Sequence, residues 1–153
     1  HCMNTLKKEY GDMDIKVMHY TEILSNRIKE GRLKPEKTFE KDMIYHDPCF
    51  LGKQNKIFDE PRGILNRISN GKLKEFSRSR EISLCCEGGG GRMFFEVEAQ
   101  YKRNSETRVE DAQEKGAEII TTACPFCVMT LEEKAVEKGL AVKELSEILM
   151  EVV

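Results

Sequence analysis

The sequence lacks an excess of charge of either sign, a long hydrophobic run and a secretory-signal pattern. Its 25 basic and 27 acidic residues are interspersed along 153 positions and give a net charge of −2, which argues against a nucleic-acid-binding protein. The longest apolar stretches, such as residues 148–153, are far too short to cross a bilayer. We expect residues 1–153 to form one domain, which at this length buries a sizeable core without cross-links.

Six cysteines are present, and five of them fall into three groups. The groups are Cys49 alone, Cys85 next to Cys86, and Cys124 with Cys127. An even number of cysteines suits a disulfide framework in a secreted protein. A CxxC in a lysine- and glutamate-rich chain without a secretory pattern instead favours a reducing, cytoplasmic setting. We therefore expect these thiols to hold a metal ion or cluster rather than to form structural disulfides.

Strand-like and helix-like segments alternate along the chain. Period-two or β-branched patterns predict strands, and apolar residues at helical spacing, bounded by glycine or proline, predict helices. The predicted strands are 14–20, 43–46, 73–76, 117–122 and 140–143, and the predicted helices are 4–10, 21–31, 61–69, 95–115, 126–138 and 146–152. This order predicts an α/β fold with a Rossmann-like, mostly parallel sheet flanked by helices.

Two of the cysteine groups come directly after predicted strands. Cys49 follows the strand 43–46 and Cys124 follows the strand 117–122, so both belong at the carboxyl edge of the sheet, where α/β folds place their ligands. Cys127 lies in the first turn of a predicted helix, whose N-terminus favours thiolates. We expect all five sulfurs to meet at this edge.

A run of four glycines follows the cysteine pair and Glu87. Without side chains, residues 88–91 let the backbone approach a bound group closely and donate N–H groups to sulfur. The run lacks the lysine of a phosphate-binding loop and the glycine spacing of a dinucleotide motif. It therefore fits a sulfur-rich site better than a phosphate site.

Several chemistries stay open on the residues alone. An iron–sulfur cluster takes thiolates from several directions, which the three groups can supply. Zinc needs only four sulfurs, in a structural or partner-docking module without redox activity. A thiol–disulfide oxidoreductase would use Cys124 and Cys127 directly, and the plainest alternative is a set of buried free thiols acting as small hydrophobes.

Three motifs together resemble the cysteine-rich CCG domain. They are His46-Asp47-Pro48-Cys49, Cys85-Cys86 with the glycines and Arg92-Met93-Phe94, and Ala123-Cys124-Pro125-Phe126-Cys127. This domain occurs in heterodisulfide reductase B and D subunits and in iron–sulfur subunits of glycolate and lactate oxidation. The resemblance covers about residues 41–131. It implies that a noncubane [4Fe–4S] cluster is held by Cys49, Cys85, Cys86, Cys124 and Cys127.

The same resemblance implies an enzyme component. In reductases of this family the cluster lets a disulfide be cleaved in two one-electron steps, and other relatives relay electrons or bind zinc in one copy. For this chain it implies electron transfer to a disulfide or quinone-linked acceptor. The candidate cofactor-binding residues are Gly88, Gly89, Gly90 and Arg92.

His46 is the candidate catalytic residue. It could donate a hydrogen bond to cluster sulfur or shuttle a proton to a leaving thiolate, and the alternative is a histidine that only holds the turn after the strand together. One departure from the family motif stands nearby, because Glu87 occupies the position of its usual glycine. A positive φ there would be costly for a glutamate, and a carboxylate beside thiolates would make reduction harder.

The family usually carries two such modules in tandem, and residues 1–6 resemble the tail of a preceding module. We therefore expect the chain to be the second, C-terminal module of a longer oxidoreductase. Its expected partners are the preceding module and other iron–sulfur or flavin subunits of an electron-transfer complex. We expect a cytoplasmic location, with membrane association only through partner subunits or another part of the longer chain.

Overall fold

The computed structural model describes residues 2–11, 14–94 and 102–153. Within these residues lies a four-stranded, all-parallel sheet with the strand order β2-β1-β3-β4. The strands are β1 (Met43–His46), β2 (Lys74–Glu75), β3 (Ile119–Thr122) and β4 (Ala141–Glu144). The predicted α/β class, with a Rossmann-like parallel sheet, is confirmed.

Helices cover both faces of this sheet. The α-helices in the described ranges are α1 (Cys2–Glu9), α2 (Tyr20–Lys29), α3 (Gly52–Asn55), α4 (Asp59–Ile68), α5 (Asn104–Glu114), α6 (Pro125–Glu137) and α7 (Leu145–Met150). Short 3₁₀ turns occur at Arg80–Ile82 and Arg92–Phe94. None of the helices in the part of the chain that the structure describes is long and apolar enough to span a bilayer.

Side chains along a strand alternate between the two faces, and this alternation divides the core. Met43 and Tyr45 pack on one face with α2, α4 and α7. Ile44 packs on the other face with α5 and α6, and Cys86 and Cys127 belong to that second cluster. The strand alternation that builds the core thus also assigns two thiols to the α5–α6 face.

The carboxyl ends of β1 and β3 are level with each other. These strands pair in register from Met43 opposite Ile119 to His46 opposite Thr122. The chain leaves β1 toward β2 on one side, but leaves β2 for β3 on the other side of β1, so the winding changes direction between β1 and β3. Such a switch point is where open α/β sheets form their ligand crevice.

The predicted strand at 14–20 is wrong. Residues 14–19 are irregular, Ile15 is largely exposed, and the helix α2 already begins at Tyr20. His19 caps that helix: its backbone N–H donates to Glu22 at 2.8 Å, and its ring Nδ1 accepts from the backbone N–H of Thr21 at 3.4 Å. A reciprocal capping box outweighs a short alternating pattern that has no partner strand within the described ranges.

The helix predicted over 95–115 begins later than expected. Residues 95–101 of that prediction lie outside the described residues, and α5 begins at Asn104. The other predicted helices and strands are present, with ends shifted by a few residues.

Candidate metal centre

The structure brings all five clustered cysteines together at the carboxyl edge of the sheet. The sulfurs of Cys86 and Cys127 lie 3.2 Å apart in the interior. Cys85 is in hydrogen-bonding contact with Cys49 and with Cys86, and Cys124 with Cys127. The thiols therefore form one continuous row, in the order 49–85–86–127–124, and none of them is in a disulfide.

Hydrogen bonds within the row decide which sulfurs favour the anionic form. The contacts with Cys49 and Cys86 lower the pKa of Cys85, and the contact with Cys85 raises the pKa of Cys49. At the other end, Cys127 and the first amide groups of α6 lower the pKa of Cys124 to about 6. The pKa of Cys127 is raised because its thiol bonds to Cys124 and Cys86 and is buried. Deprotonating the whole row therefore requires a cationic partner.

Backbone N–H groups point at two of these sulfurs. The N–H of Glu87 lies 3.3 Å from the sulfur of Cys85, and the N–H of Gly88 lies 3.4 Å from the sulfur of Cys86. Gly88 is tightly enclosed, because a Cβ there would lie 3.0 Å from the carbonyl oxygen of Phe126 and would collide with the hydroxyl of Thr130. Donors of this kind stabilise thiolates.

The remaining candidate loop residues lie further along the same segment. A Cβ at Gly89 or Gly90 would meet nothing within 4 Å. Arg92 begins the second 3₁₀ turn, where its N–H donates to the carbonyl of Gly89 at 3.2 Å. Within the described part of the chain, hydrogen bonds to sulfur from this loop come from Glu87 and Gly88.

Glu87 has a left-handed backbone, with φ of 65°. The position that is glycine in the family motif therefore has a positive φ in this chain, the case in which we expected a glutamate to be costly. The carboxylate of Glu87 lies 3.3 Å from Nε of Arg103. The left-handed backbone of a non-glycine residue at this position stores backbone strain.

His46 lies at the end of β1 and faces the thiol row. One of its ring nitrogens is within 4.8 Å of the sulfurs of Cys86 and Cys127. Its Nδ1 accepts a hydrogen bond from Nε of Arg108 at 3.2 Å, whereas its buried Nε2 has no partner among the described residues. Burial and the Arg108 cation lower the pKa of His46 to about 3, so the ring is neutral at physiological pH.

Asp47 ties the turn that carries Cys49 to the loop that leads to Cys85. Its buried carboxylate accepts two hydrogen bonds from Arg62, at 2.7 and 2.9 Å, and a third from the backbone N–H of Arg80 at 2.8 Å. Sequence reasoning assigned no role to Arg62 or Asp47. The available signal was a charged residue on the apolar face of a predicted helix.

A mostly apolar pocket of about 280 Å³ opens beside Cys124. One wall comes from α1 and the start of α2, and the other comes from the turns after β1 and β3. Its lining includes Met3, His19, Tyr20, Pro48, Phe50 and Phe126. A sulfur of the row therefore borders a cavity large enough for part of a small apolar molecule.

The chain is similar to parts of several larger proteins. It is 40% identical over 161 aligned positions to the EtfAB:quinone oxidoreductase of Syntrophomonas wolfei, which covers 97% of this chain and 22% of that protein. It is 38% identical over 133 positions to the "Probable iron-sulfur-binding oxidoreductase FadF" of Bacillus subtilis, covering 86% of this chain and 19% of that protein.

A third relative belongs to the dihydromethanophenazine:CoB–CoM heterodisulfide reductase of Methanosarcina barkeri, where it is the D subunit. The identity is 35% over 146 positions, covering 92% of this chain and 34% of that relative. The chain thus spans between 19% and 34% of the length of these three relatives.

A family model described as the CCG cysteine-rich domain matches residues 43–132. The match begins at the first residue of β1, ends within α6 and includes the whole thiol row. It also agrees with the extent of the resemblance seen in the sequence. The chain therefore belongs to the CCG family of cysteine-rich domains.

Proposed function

We propose that the thiol row holds an iron–sulfur cluster and that the chain transfers electrons as a component of an iron–sulfur oxidoreductase. The observation that supports this most strongly is the meeting of five cysteines from three distant segments at the switch point of the sheet. The names of the relatives support the same class, because they are oxidoreductases and one is named as iron–sulfur-binding.

The donor set fits such a cluster. Thiolates are the usual protein ligands of iron–sulfur clusters, and hydrogen bonds to sulfur tune them. Four thiolates satisfy zinc or a cubane cluster, so the presence of a fifth thiol in the same row favours the noncubane type. We propose Cys49, Cys85, Cys86, Cys124 and Cys127 as the ligands.

The residues around the row would position the electron acceptor and donate hydrogen bonds to the cluster sulfurs. When bound, the cluster would supply one-electron transfer to a disulfide or quinone-linked acceptor. The pocket beside Cys124 offers the acceptor an apolar approach. Gly88 would donate its N–H to a ligand sulfur, and Gly89, Gly90 and Arg92 would continue this loop along the cofactor. His46, whose ring is neutral at physiological pH, would donate a hydrogen bond at sulfur rather than shuttle a proton.

The proposal extends to the assembly. Because the chain matches only a fraction of each relative's length, we propose that it acts as the second, C-terminal module of a longer protein. The preceding module and iron–sulfur or flavin subunits would be its electron partners. We propose a cytoplasmic location, with any membrane contact supplied by those partners or by another part of the longer chain.

Anaerobic reconstitution with iron and sulfide tests the cofactor. We expect brown protein with visible charge-transfer absorption, about four iron and four sulfide per chain, and a paramagnetic resonance signal in one oxidation state. A colourless protein that retains only zinc would contradict the proposal and favour a structural or docking module.

Five single Cys→Ser variants test the ligand set. Replacing any member of the row should lower iron uptake and change the spectrum, whereas Cys2→Ser, at an exposed cysteine outside the row, should behave as the unmodified protein. One member of the row that can be replaced without effect would mean four ligands, and hence a cubane cluster or zinc.

A further inference from the structure

A buried arginine that forms no ion pair with the described residues lies beside His46, next to the thiol row. Arg108 on α5 is fully buried, and the centre of its guanidinium lies 3.5 Å from the centroid of the Phe76 ring. Its Nη1 donates to the carbonyl oxygen of Arg78 at 2.7 Å. Among the described residues its Nη2 has no hydrogen-bond partner, and no ion pair includes Arg108.

The third contact of Arg108 determines where the proton of His46 lies. A guanidinium can only donate, so the Nδ1 that receives Nε of Arg108 at 3.2 Å must offer a lone pair. In a neutral imidazole the proton then sits on Nε2. Nε2 is the ring nitrogen without a partner in the described part of the chain, and it is free to meet the sulfurs of the row.

This arrangement conflicts with metal ligation by His46. His46, Cys86 and Cys127 have potential ligand atoms within 4.8 Å of one another, a spacing that by itself suggests a three-residue metal site. Ligation through Nε2 needs its lone pair and moves the proton of the neutral ring to Nδ1. That proton would then face the N–H of Arg108, so the two donors would oppose each other.

We propose that Arg108 is a positioning residue that fixes His46 in its Nε2–H tautomer, and thereby makes it a hydrogen-bond donor to the sulfurs of Cys86 and Cys127 rather than a metal ligand. Arg108 also serves as the buried counter-charge of the thiolate-bound centre, a second role that rests on the proposed function. A buried cation without an ion pair is costly. The charges of Asp111 and Asp47 offset part of that cost, and an anionic centre nearby would offset more of it.

Nitrogen NMR of the metal-free chain tests the tautomer. The chain has three histidines, so ¹⁵N labelling of histidine resolves each ring. We expect a protonated Nε2 and an unprotonated Nδ1 in His46, and a shift toward the Nδ1–H form in Arg108→Met. The ring of His19, which caps α2, should keep its signals and so report that the variant is folded.

Two results would overturn the tautomer role. One is a protonated Nδ1 in the unmodified chain, which needs no variant. The other is an unchanged His46 spectrum in folded Arg108→Met. If Arg108→Met does not fold, Arg108→Lys serves instead, because it keeps a cation but lacks the fixed Nε–H; it should also shift the tautomer.

The reduction potential of the iron-loaded chain tests the counter-charge. Removing a nearby cation disfavours the more negative, reduced state, so Arg108→Met should lower the ratio of reduced to oxidised protein about tenfold at a fixed potential, a shift of about 59 mV for one electron. Arg108→Lys should shift less. Lys115→Met removes an exposed cation at the end of the same helix and should leave the potential unchanged.

The two proposals fail in different ways. Loaded Arg108→Met with an unchanged potential would overturn the counter-charge role while the cluster itself remains. A chain that takes up no iron would overturn the proposed function and the counter-charge role together, and the NMR measurement would still decide the tautomer role.

Discussion

The two buried arginines, one on each face of the sheet, differ in how fully their N–H donors and their charge are matched by partners. All five N–H donors of Arg62 are satisfied: Asp47 and Glu75 each accept two hydrogen bonds, and the carbonyl of Phe58 accepts one. Arg108 is more deeply buried, yet it bonds only to a neutral histidine and to one carbonyl oxygen. Each also lies over an aromatic ring, that of Tyr45 for Arg62 and that of Phe76 for Arg108.

This difference suggests that Arg62 has a structural role, whereas Arg108 has the role in the metal centre that we propose above. A buried charge is costly unless it is paired and hydrogen-bonded. Arg62 is paired and hydrogen-bonded by side chains of the protein, and its partner Asp47 lies in the turn before Cys49. For Arg108 the described residues meet this requirement only in part, because its Nη2 has no hydrogen-bond partner among them. Arg108 does contact His46, and a ring nitrogen of His46 lies within 4.8 Å of two sulfurs of the row. We infer that the missing partner is the anionic centre that the row would hold.

The largest expected effect is the loss of stability in Arg62→Met. This change leaves the carboxylate of Asp47 buried without its cation, so the free energy of unfolding of the metal-free chain should fall by about 3–5 kcal/mol. Arg108→Met should cost less than half as much, because the lost contacts are offset by removal of an unpaired cation. Urea unfolding of both variants measures the difference, and equal losses would contradict the contrast between the two arginines.

Asp47→Asn mainly tests the hydrogen-bonded pair of Asp47 and Arg62, although the charge of Asp47 also acts on Arg108 and His46. Asparagine can still accept from the N–H of Arg80 but carries no charge for Arg62, so we expect a loss of about 1.5–3 kcal/mol and weaker iron uptake through the displaced turn. Asp59→Asn is the matched control. Asp59 is an exposed partner of Arg80, and its replacement should change stability by less than about 0.5 kcal/mol. A loss in the control as large as in Asp47→Asn would contradict the special role of the buried pair.

The sequence allowed the sheet and its cysteine edge to be predicted because their signals are local. The runs that form β1 and β3 are short, fully buried and each followed by a proline and a cysteine, and parallel strands end at one edge. The strand predicted at 14–20 is absent because the alternating residues there have no partner strand among the described residues. Capping of α2 by His19 decided the outcome instead.

The arginine network could not be predicted in the same way. Arg108 belongs to the buried face of α5 together with Ser105, Val109 and Ala112. The helical spacing of these four residues would predict a core position for residue 108 if it were apolar. Whether an arginine at such a position is buried depends on its contacts with residues distant in the sequence, here the ring of Phe76 and His46 at the end of β1. Only the tertiary structure supplies those partners.

Gly88→Ala tests how tightly the backbone of the loop is packed on the thiol side. Its methyl group would press on the carbonyl of Phe126 and the hydroxyl of Thr130, so we expect a loss of about 1–3 kcal/mol and a weaker N–H contact with Cys86. Gly89→Ala is the matched control, since a Cβ there meets nothing within 4 Å. Thermal unfolding compares the two, and equal effects would mean that the loop rearranges freely.

Apart from the control variants, the smallest expected effect on stability is that of Glu87→Gly. Glycine removes the strain of a positive φ, about 1–2 kcal/mol, but it also frees the unfolded chain and loses the partly exposed ion pair with Arg103. The net change in unfolding free energy should therefore be a gain of no more than about 1 kcal/mol, measured by urea unfolding.

The reduction potential of the iron-loaded Glu87→Gly variant compares the effect of a negative charge near the row with that of the positive charge of Arg108. Glu87 places a negative charge beside the thiol row and Arg108 a positive one, so removing the carboxylate should raise the potential of the loaded chain, whereas Arg108→Met should lower it. Glu87→Gln is the matched control for the backbone, because it keeps a side chain at positive φ but removes the charge, and it should raise the potential by a similar amount. If Glu87→Gln leaves the potential unchanged while Glu87→Gly raises it, backbone geometry rather than charge sets the potential on this side of the row.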